Sequence, residues 1–343
     1  MKKKQIIAIA LVCFILISTG LVGLRSAMMM NQLREKSTES AQKNLEQVLG
    51  IVKEKTSLPT TDYIGQIDIV GTIQNSSQMS GAITGDNQYN HSLYLDFIEQ
   101  MEGDEKNKGI FLYVDSPGGT VYESDELYLR LMEYKEKTGR PIYAYFANQA
   151  CSGAYYISMA ADKIYANRNC WTGSIGVIIS LMNYQKMLEK IGVSEIDITS
   201  GVNKTIGSGA HEMTEDQGKI LQSLVDEAYE QFTAIVADGR KMDPETVKKL
   251  ADGRIYSAQQ AKDNKLIDEI MGLEEMKKTV ADSVGSEDIL FFQPAGDTQW
   301  MQLFSSLFGK GGIGDLFKTD SDIEAAREWL EQDESGVLMY YAR

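Results

Sequence analysis

At 343 residues the chain can hold one large domain or two ordinary ones, and 43% hydrophobic residues suffice for a packed core. A net charge of −15 argues against a nucleic-acid partner. The first 25 residues carry Lys2, Lys3, Lys4 and Arg25 and no acid, so the rest of the chain is more acidic still. Such a body favours solubility and is repelled by anionic lipid.

Ile6 to Leu24 is almost purely apolar. As a helix it rises about 28 Å, close to the thickness of a hydrocarbon core. Lys2 to Lys4 then hold the N-terminus in the cytoplasm and send the rest outward, giving a single-pass cell-membrane protein with an extracytoplasmic body. A cleaved signal peptide is the competing reading. The long apolar run and the lack of a small-x-small site favour an uncleaved anchor over residues 1–25. Val12 before Cys13 fits a lipoprotein site poorly. Residues 26–58, polar and helix-prone from Asn31, read as a stalk helix or linker.

Tyr63 to Ile73 is rich in β-branched residues and reads as a strand. Ser76 to Asn90 reads as a loop and Ser92 to Met101 as a helix. Gly109 to Val114 is a short continuous apolar run, as in a buried parallel strand, and ends in an Asp115–Gly119 turn. Tyr122 to Lys137 is an amphipathic helix with an acidic first turn. The unit then repeats: a strand over Pro141–Phe146, a turn at Ser152, and an apolar helix to about Ala161. Lys163–Ala166 reads as a strand, Gly173–Leu181 as Gly-rich then apolar, Asn183–Ile191 as a helix and Glu195–Thr199 as a strand. Glu215–Arg240 is one long amphipathic helix and Pro244–Ala251 a shorter one. Alternating strands and helices at this spacing imply an α/β fold with a mostly parallel sheet, whose site forms at the carboxyl ends of the strands. From about Phe292 the pattern weakens. Lys310–Gly314 resembles a hinge, Asp320–Asp333 an acidic helix, and Val337–Arg343 is an apolar end.

The chemistry-bearing candidates are few. Ser152 lies in Gln149-Ala150-Cys151-Ser152-Gly153-Ala154, a small-residue turn suited to a nucleophile or to an ordinary helix N-cap. Gly118 and Gly119 follow a buried strand and precede a helix. They can serve a tight turn or offer backbone N–H groups to an oxyanion. Two histidines, His91 and His211, sit in polar stretches and read as surface residues, which turns attention to lysine as a base. Lys204, among Gly and Ser residues, is the candidate. An ordinary lysine, with a pKa of about 10.4, must be buried against apolar walls to be neutral enough. Ser174 could accept a hydrogen bond from it. Cys13, Cys151 and Cys170 form no metal-like set and read as small buried thiols, with a Cys151–Cys170 pair the lesser alternative. No metal-ligand spacing, phosphate loop or cofactor motif appears.

Asp115-Ser116-Pro117-Gly118-Gly119, the Ala150–Tyr156 block, Thr172-Gly173-Ser174-Ile175-Gly176-Val177 and the Lys204 loop occur in this order over roughly residues 60–290. Together with the N-terminal anchor, the chain resembles the signal peptide peptidase A family of bacterial membrane-bound serine proteases, in its short single-repeat form. The resemblance implies a Clp/crotonase-like fold of repeated β-β-α units, with a catalytic domain over 59–295 and a tail over 296–343. It implies a Ser-Lys dyad: Ser152 attacks the peptide carbonyl and neutral Lys204 takes its proton. Ser174 orients the lysine, and Gly119, with Gly118, forms the oxyanion hole. Cleaved signal peptides and other apolar peptides are the implied substrates, and no cofactor is implied. The implied assembly is a ring of copies, an octamer in the short forms, with serine and lysine from neighbours. Two other readings stand beside it: a same-fold hydratase or acyl-transfer enzyme, and a catalytically silent membrane-anchored scaffold. The motifs leave Val337–Arg343 unexplained. We expect that end to occupy a peptide groove, as inhibitor or self-substrate.

Overall fold

The computed structural model describes residues 56–75 and 89–294 and the backbone of a strand over 339–341. The expected anchor, Gly-rich hinge and acidic helix lie outside these residues, as do 26–55 of the expected stalk and 76–88 of the expected Ser76–Asn90 loop. Among the described residues no helix is long and apolar enough to cross a membrane.

Along the chain run β1 (Tyr63–Val70), α1 (His91–Glu102), β2 (Asn107–Ser116), β3 (Gly118–Thr120), α2 (Val121–Thr138), β4 (Ile142–Cys151), α3 (Gly153–Ser158), β5 (Lys163–Ala166) and β6 (Trp171–Gly173). There follow α4 (Gln185–Lys190), α5 (Glu215–Arg240), α6 (Pro244–Leu250), β7 (Ile255–Ser257), α7 (Ala258–Asp263), β8 (Glu269–Ile270), α8 (Leu273–Ser283), β9 (Leu290–Phe292) and β10 (Met339–Tyr341).

The main sheet runs β7-β6-β4-β2-β1-β9, with β5 beside the first half of β4 and β8 beside β5. Every pairing is parallel except β6 with β7. The expected α/β fold with a mostly parallel sheet is therefore present. Strand side chains alternate between faces. Ile110, Leu112 and Val114 of β2, with Ile142, Ala144 and Phe146 of β4, enter the main core with buried residues of α1, α2, α3 and α5. Phe111 and Tyr145 point the other way and pack with Met276 and Val280 of α8. Burial on both faces explains why these strands read as continuous apolar runs.

Three expectations are corrected. Pro117 ends β2, yet the chain resumes at once as β3, so Gly118 and Gly119 lie in a strand rather than a simple turn. The helix after Ser152 stops at Ser158, well before Ala161. Glu195–Thr199 forms no strand. Its β-branched residues have no neighbouring strand among the described residues to pair with, and Ile198 is fully exposed.

One polar contact ties the helical layer to the sheet. Asp268, just before β8, accepts from the Ile164 N–H at 2.8 Å, Arg240 Nη1 at 3.0 Å and Lys163 Nζ at 3.2 Å. Burial pushes its carboxyl up, but the Ile164 N–H, Arg240 and Lys163 together outweigh that and hold it below the usual 3.8. A carboxylate held low stabilises the fold fully above its unfolded pKa and loses that contribution as pH falls through the folded value. Asp268→Asn is expected to cost about 2 kcal/mol at pH 7, below the range for a fully buried pair because Asp268 is part-exposed. Denaturant unfolding of the two proteins should show the difference shrinking below pH 3.8, where the wild-type carboxyl itself protonates.

Candidate active site

β4 delivers Ser152 to the carboxyl end of the sheet. There the chain turns sharply into α3, and Ser152 adopts φ 53°, ψ −119°. A non-glycine residue in that region costs about 1–3 kcal/mol and persists only when its surroundings hold it. The holding contacts are plain. Ser152 N–H donates to Gly173 O at 2.8 Å, and Tyr156 N–H donates to Ser152 O at 2.9 Å. A strained strand-to-helix serine is the geometry of a nucleophile elbow. In the single chain Ser152 is fully buried, and its hydroxyl has no hydrogen-bond partner among the described residues. Buried hydroxyls normally find a partner, so this orphan requires an explanation. Chemistry with an incoming group supplies one.

β3 lies beside the elbow, and its backbone directions follow from its pairings. Ile73 N–H donates to Gly118 O, and Thr120 N–H donates to Ile73 O, both at 2.8 Å. Backbone groups alternate sides along a strand. The N–H and C=O of Gly119 therefore point away from Ile73. On that side lies β10, antiparallel, with Met339 opposite Thr120, Tyr340 opposite Gly119 and Tyr341 opposite Gly118. Gly118 has φ +109°, a conformation open to glycine, and its N–H is held by Ser116 Oγ at 3.1 Å. α2 begins directly after Thr120, so its N-terminal dipole also favours negative charge near β3.

Gly173 joins the elbow to the next candidate. It pairs with Cys151, takes the Ser152 N–H, and is followed by Ser174 at φ 48°. Ser174 is nearly buried, and its N–H is anchored on Arg254 O at 2.8 Å. The structure thus brings Ser152 and Ser174 to one corner, with β3 nearby.

Lys204 is not brought there. It sits in an exposed turn, its N–H bonded to Gly201 O at 3.1 Å. Because the Ser152 hydroxyl has no partner, Lys204 does not reach it within one chain. The two legs of the loop that carries Lys204 are tied together by His211 Nε2, which meets Asp197 Oδ2 at 2.6 Å and Glu195 Oε1 at 3.9 Å. The surrounding segment leaves Met182, Ile191, Ile196, Ile198 and Val202 more than half exposed.

One sequence reading changes here and another holds. His91 is buried rather than a surface residue, 4% exposed, between Tyr89 and Glu126. Cys151 and Cys170 are buried, separate thiols; burial pushes the Cys151 thiol up to about 12 and the Cys170 thiol upward as well. Thiols held protonated are poor nucleophiles, so the cysteine beside Ser152 does not compete with it.

A strained serine elbow next to a Gly-Gly strand, at the carboxyl end of a mostly parallel sheet, is an arrangement that a serine hydrolase can use. Comparison with known proteins agrees. The Clp protease model matches residues 67–190 and that of peptidase family S49 residues 134–287. A Synechocystis protein provisionally named as a protease is 41% identical over 231 residues, 67% of this chain and 77% of that protein. An Enterococcus faecium protein provisionally named signal peptide peptidase SppA is 46% identical over 183 residues; the match spans 53% of each chain. The chloroplastic serine protease SPPA of Arabidopsis thaliana is 28% identical, over 67% of this chain and 36% of its own length. The chain belongs to peptidase family S49, a family of serine proteases.

Proposed function

We propose that this chain is a single-pass, membrane-anchored serine endopeptidase that degrades signal peptides left in the membrane after preprotein processing. Ser152 is the nucleophile, and Lys204 of a neighbouring copy is the base. The observation that carries this reading is the strained, buried Ser152 with its orphan hydroxyl. Lys204 takes the hydroxyl proton as Ser152 Oγ bonds to the scissile carbonyl carbon. The oxyanion that forms is met by the Gly119 N–H, with Gly118 shaping the approach. When the C–N bond breaks, Lys204 returns the proton to the leaving amine. Water, deprotonated by the same lysine, then releases the acyl group. Ser174 orients the lysine ammonium.

Assembly into a ring answers two needs. It covers the exposed apolar segment around Ile196 and Ile198, and it removes water from Lys204 so that its amine can be neutral. Substrates of this class are apolar and extended, and the side of β3 on which β10 sits suits them through strand addition. Peptide hydrolysis by wild type against Ser152→Ala and Lys204→Ala tests the dyad.

The antiparallel seat of β10 on β3 favours a second element of the reading: the C-terminal end acts as an intramolecular occupant of the peptide groove. Truncation before Asp333 is then expected to lower the KM for an added apolar peptide several-fold. A synthetic peptide of residues 337–343 should inhibit the truncated chain. Unchanged KM together with no inhibition would remove the tail from the groove.

A further inference from the structure

His91 is a buried titratable group that the proposed chemistry does not use. It is the first residue of α1, and both its ring nitrogens are engaged: Nδ1 with Tyr89 Oη at 2.6 Å and Nε2 with Glu126 Oε2 at 2.7 Å. For a neutral imidazole beside an ionised Glu126, one proton arrangement satisfies both contacts. Nε2–H donates to the carboxylate, and Nδ1 accepts from the tyrosine hydroxyl. The second Glu126 oxygen accepts from Tyr122 at 3.1 Å. The Tyr89 side chain lies in the core, its ring edge-on to Tyr94.

The two partners of His91 belong to the two supports of β3. On one side the Tyr89 N–H donates to Val70 O, the last residue of β1, at 3.1 Å. Three residues further on, Ile73 forms the two hydrogen bonds that hold β3. On the other side Glu126 stands on α2, which starts as β3 ends. Ser124 Oγ donates to Thr120 O at 2.7 Å and fastens that junction. One imidazole therefore links the segment leaving β1, whose Ile73 pairs with β3, to the helix that continues from β3.

We infer that His91 is a positioning residue: with Tyr89 and Glu126 it clamps the two supports of β3 and so fixes the direction of the Gly119 N–H. Its effect on turnover rests on the oxyanion role proposed above for Gly119. The clamp itself does not, and amide exchange reads it without activity. Removing the contact leaves the fold but loosens β3. An oxyanion donor acts in the transition state, so misdirection lowers kcat more than it raises KM.

The test uses the full chain with Tyr89→Phe, Glu126→Leu and Glu126→Gln. Glutamine keeps an oxygen acceptor for Nε2–H; leucine does not. Tyr89→Phe and Glu126→Leu should each lower kcat about tenfold, with KM changed less than threefold, whereas Glu126→Gln stays within about threefold of wild type. Amide exchange over residues 116–122 should speed up in the first two variants and not in the third. Asp268→Asn, whose lost contacts are to Ile164, Lys163 and Arg240 and not to β3, serves as the control and should leave kcat unchanged. Lower melting temperatures with unchanged kcat and unchanged exchange at 116–122 would make the cluster merely structural and overturn the proposal. Glu126→Gln behaving like Glu126→Leu would also overturn it, because the hydrogen bond would not be what matters. If wild type shows no Ser152-dependent turnover, the parent reading falls, and the exchange data alone decide the clamp.

Discussion

Ser152→Ala and Lys204→Ala are each expected to lower peptide hydrolysis by at least about 10³-fold, because a nucleophile and its base act as one unit. The more telling result comes from mixing them. Among the described residues of one chain the Ser152 hydroxyl is unpartnered and Lys204 is exposed, so the pair is completed only between copies if the proposed reading holds. When the two inactive variants are unfolded and reassembled together, some sites receive an intact serine from one copy and an intact lysine from the next. For a head-to-tail ring with random order, about one quarter of the sites are whole, and about one quarter of wild-type turnover should return. Each variant reassembled alone should stay inactive. No recovery in the mixture would place both residues in one chain's site and would require the 195–211 segment to fold inward. Near-full activity of Lys204→Ala would mean another base.

Much of the scaffold was legible because burial on both faces writes itself into the sequence. Lys163–Ala166 and Glu215–Arg240 have the expected bounds. The first is a short apolar run, and the second carries a period long enough to fix its ends. What escaped reading depends on partners distant in sequence. Pro117-Gly118-Gly119 carries every local mark of a turn, yet Gly118–Thr120 is a strand because Ile73 pairs with it on one side and β10 on the other. Glu195–Thr199 carries the local marks of a strand and lacks a partner among the described residues. His91 was hidden by its polar neighbours Asn90 and Ser92, although a signal existed. It shares helical spacing with Tyr94, Ile98 and Met101, all buried. A histidine on an apolar stripe is inside, whatever flanks it. The Ser152 motif could be read as a site, but not its φ of 53°, since strain is a property of the surroundings.

Gly119→Ala is the second substitution with a large expected effect, and its cause is steric. A Cβ at this position would lie 1.9 Å from Ile73 O, 2.5 Å from Ile73 C and 2.6 Å from Ile73 N. All three are backbone atoms, so no side-chain rotation relieves the contact. The two hydrogen bonds between Ile73 and β3, both 2.8 Å, must give way. In the proposed mechanism, their loss turns the Gly119 N–H away from the position of the developing oxyanion. Removing one such donor costs about 10²–10³ in kcat, and that is the expected loss here. The fold should survive, because the main core lies on the sheet and not on β3. The melting temperature is expected to fall by only a few degrees, as for a loss of about 1–2 kcal/mol. Gly103→Ala is the matched control. A Cβ there meets nothing within 4 Å, so kcat should not change. If Gly119→Ala turned over substrate at the wild-type rate, the oxyanion would have to be bound elsewhere, and β3 would be only a peptide-docking edge.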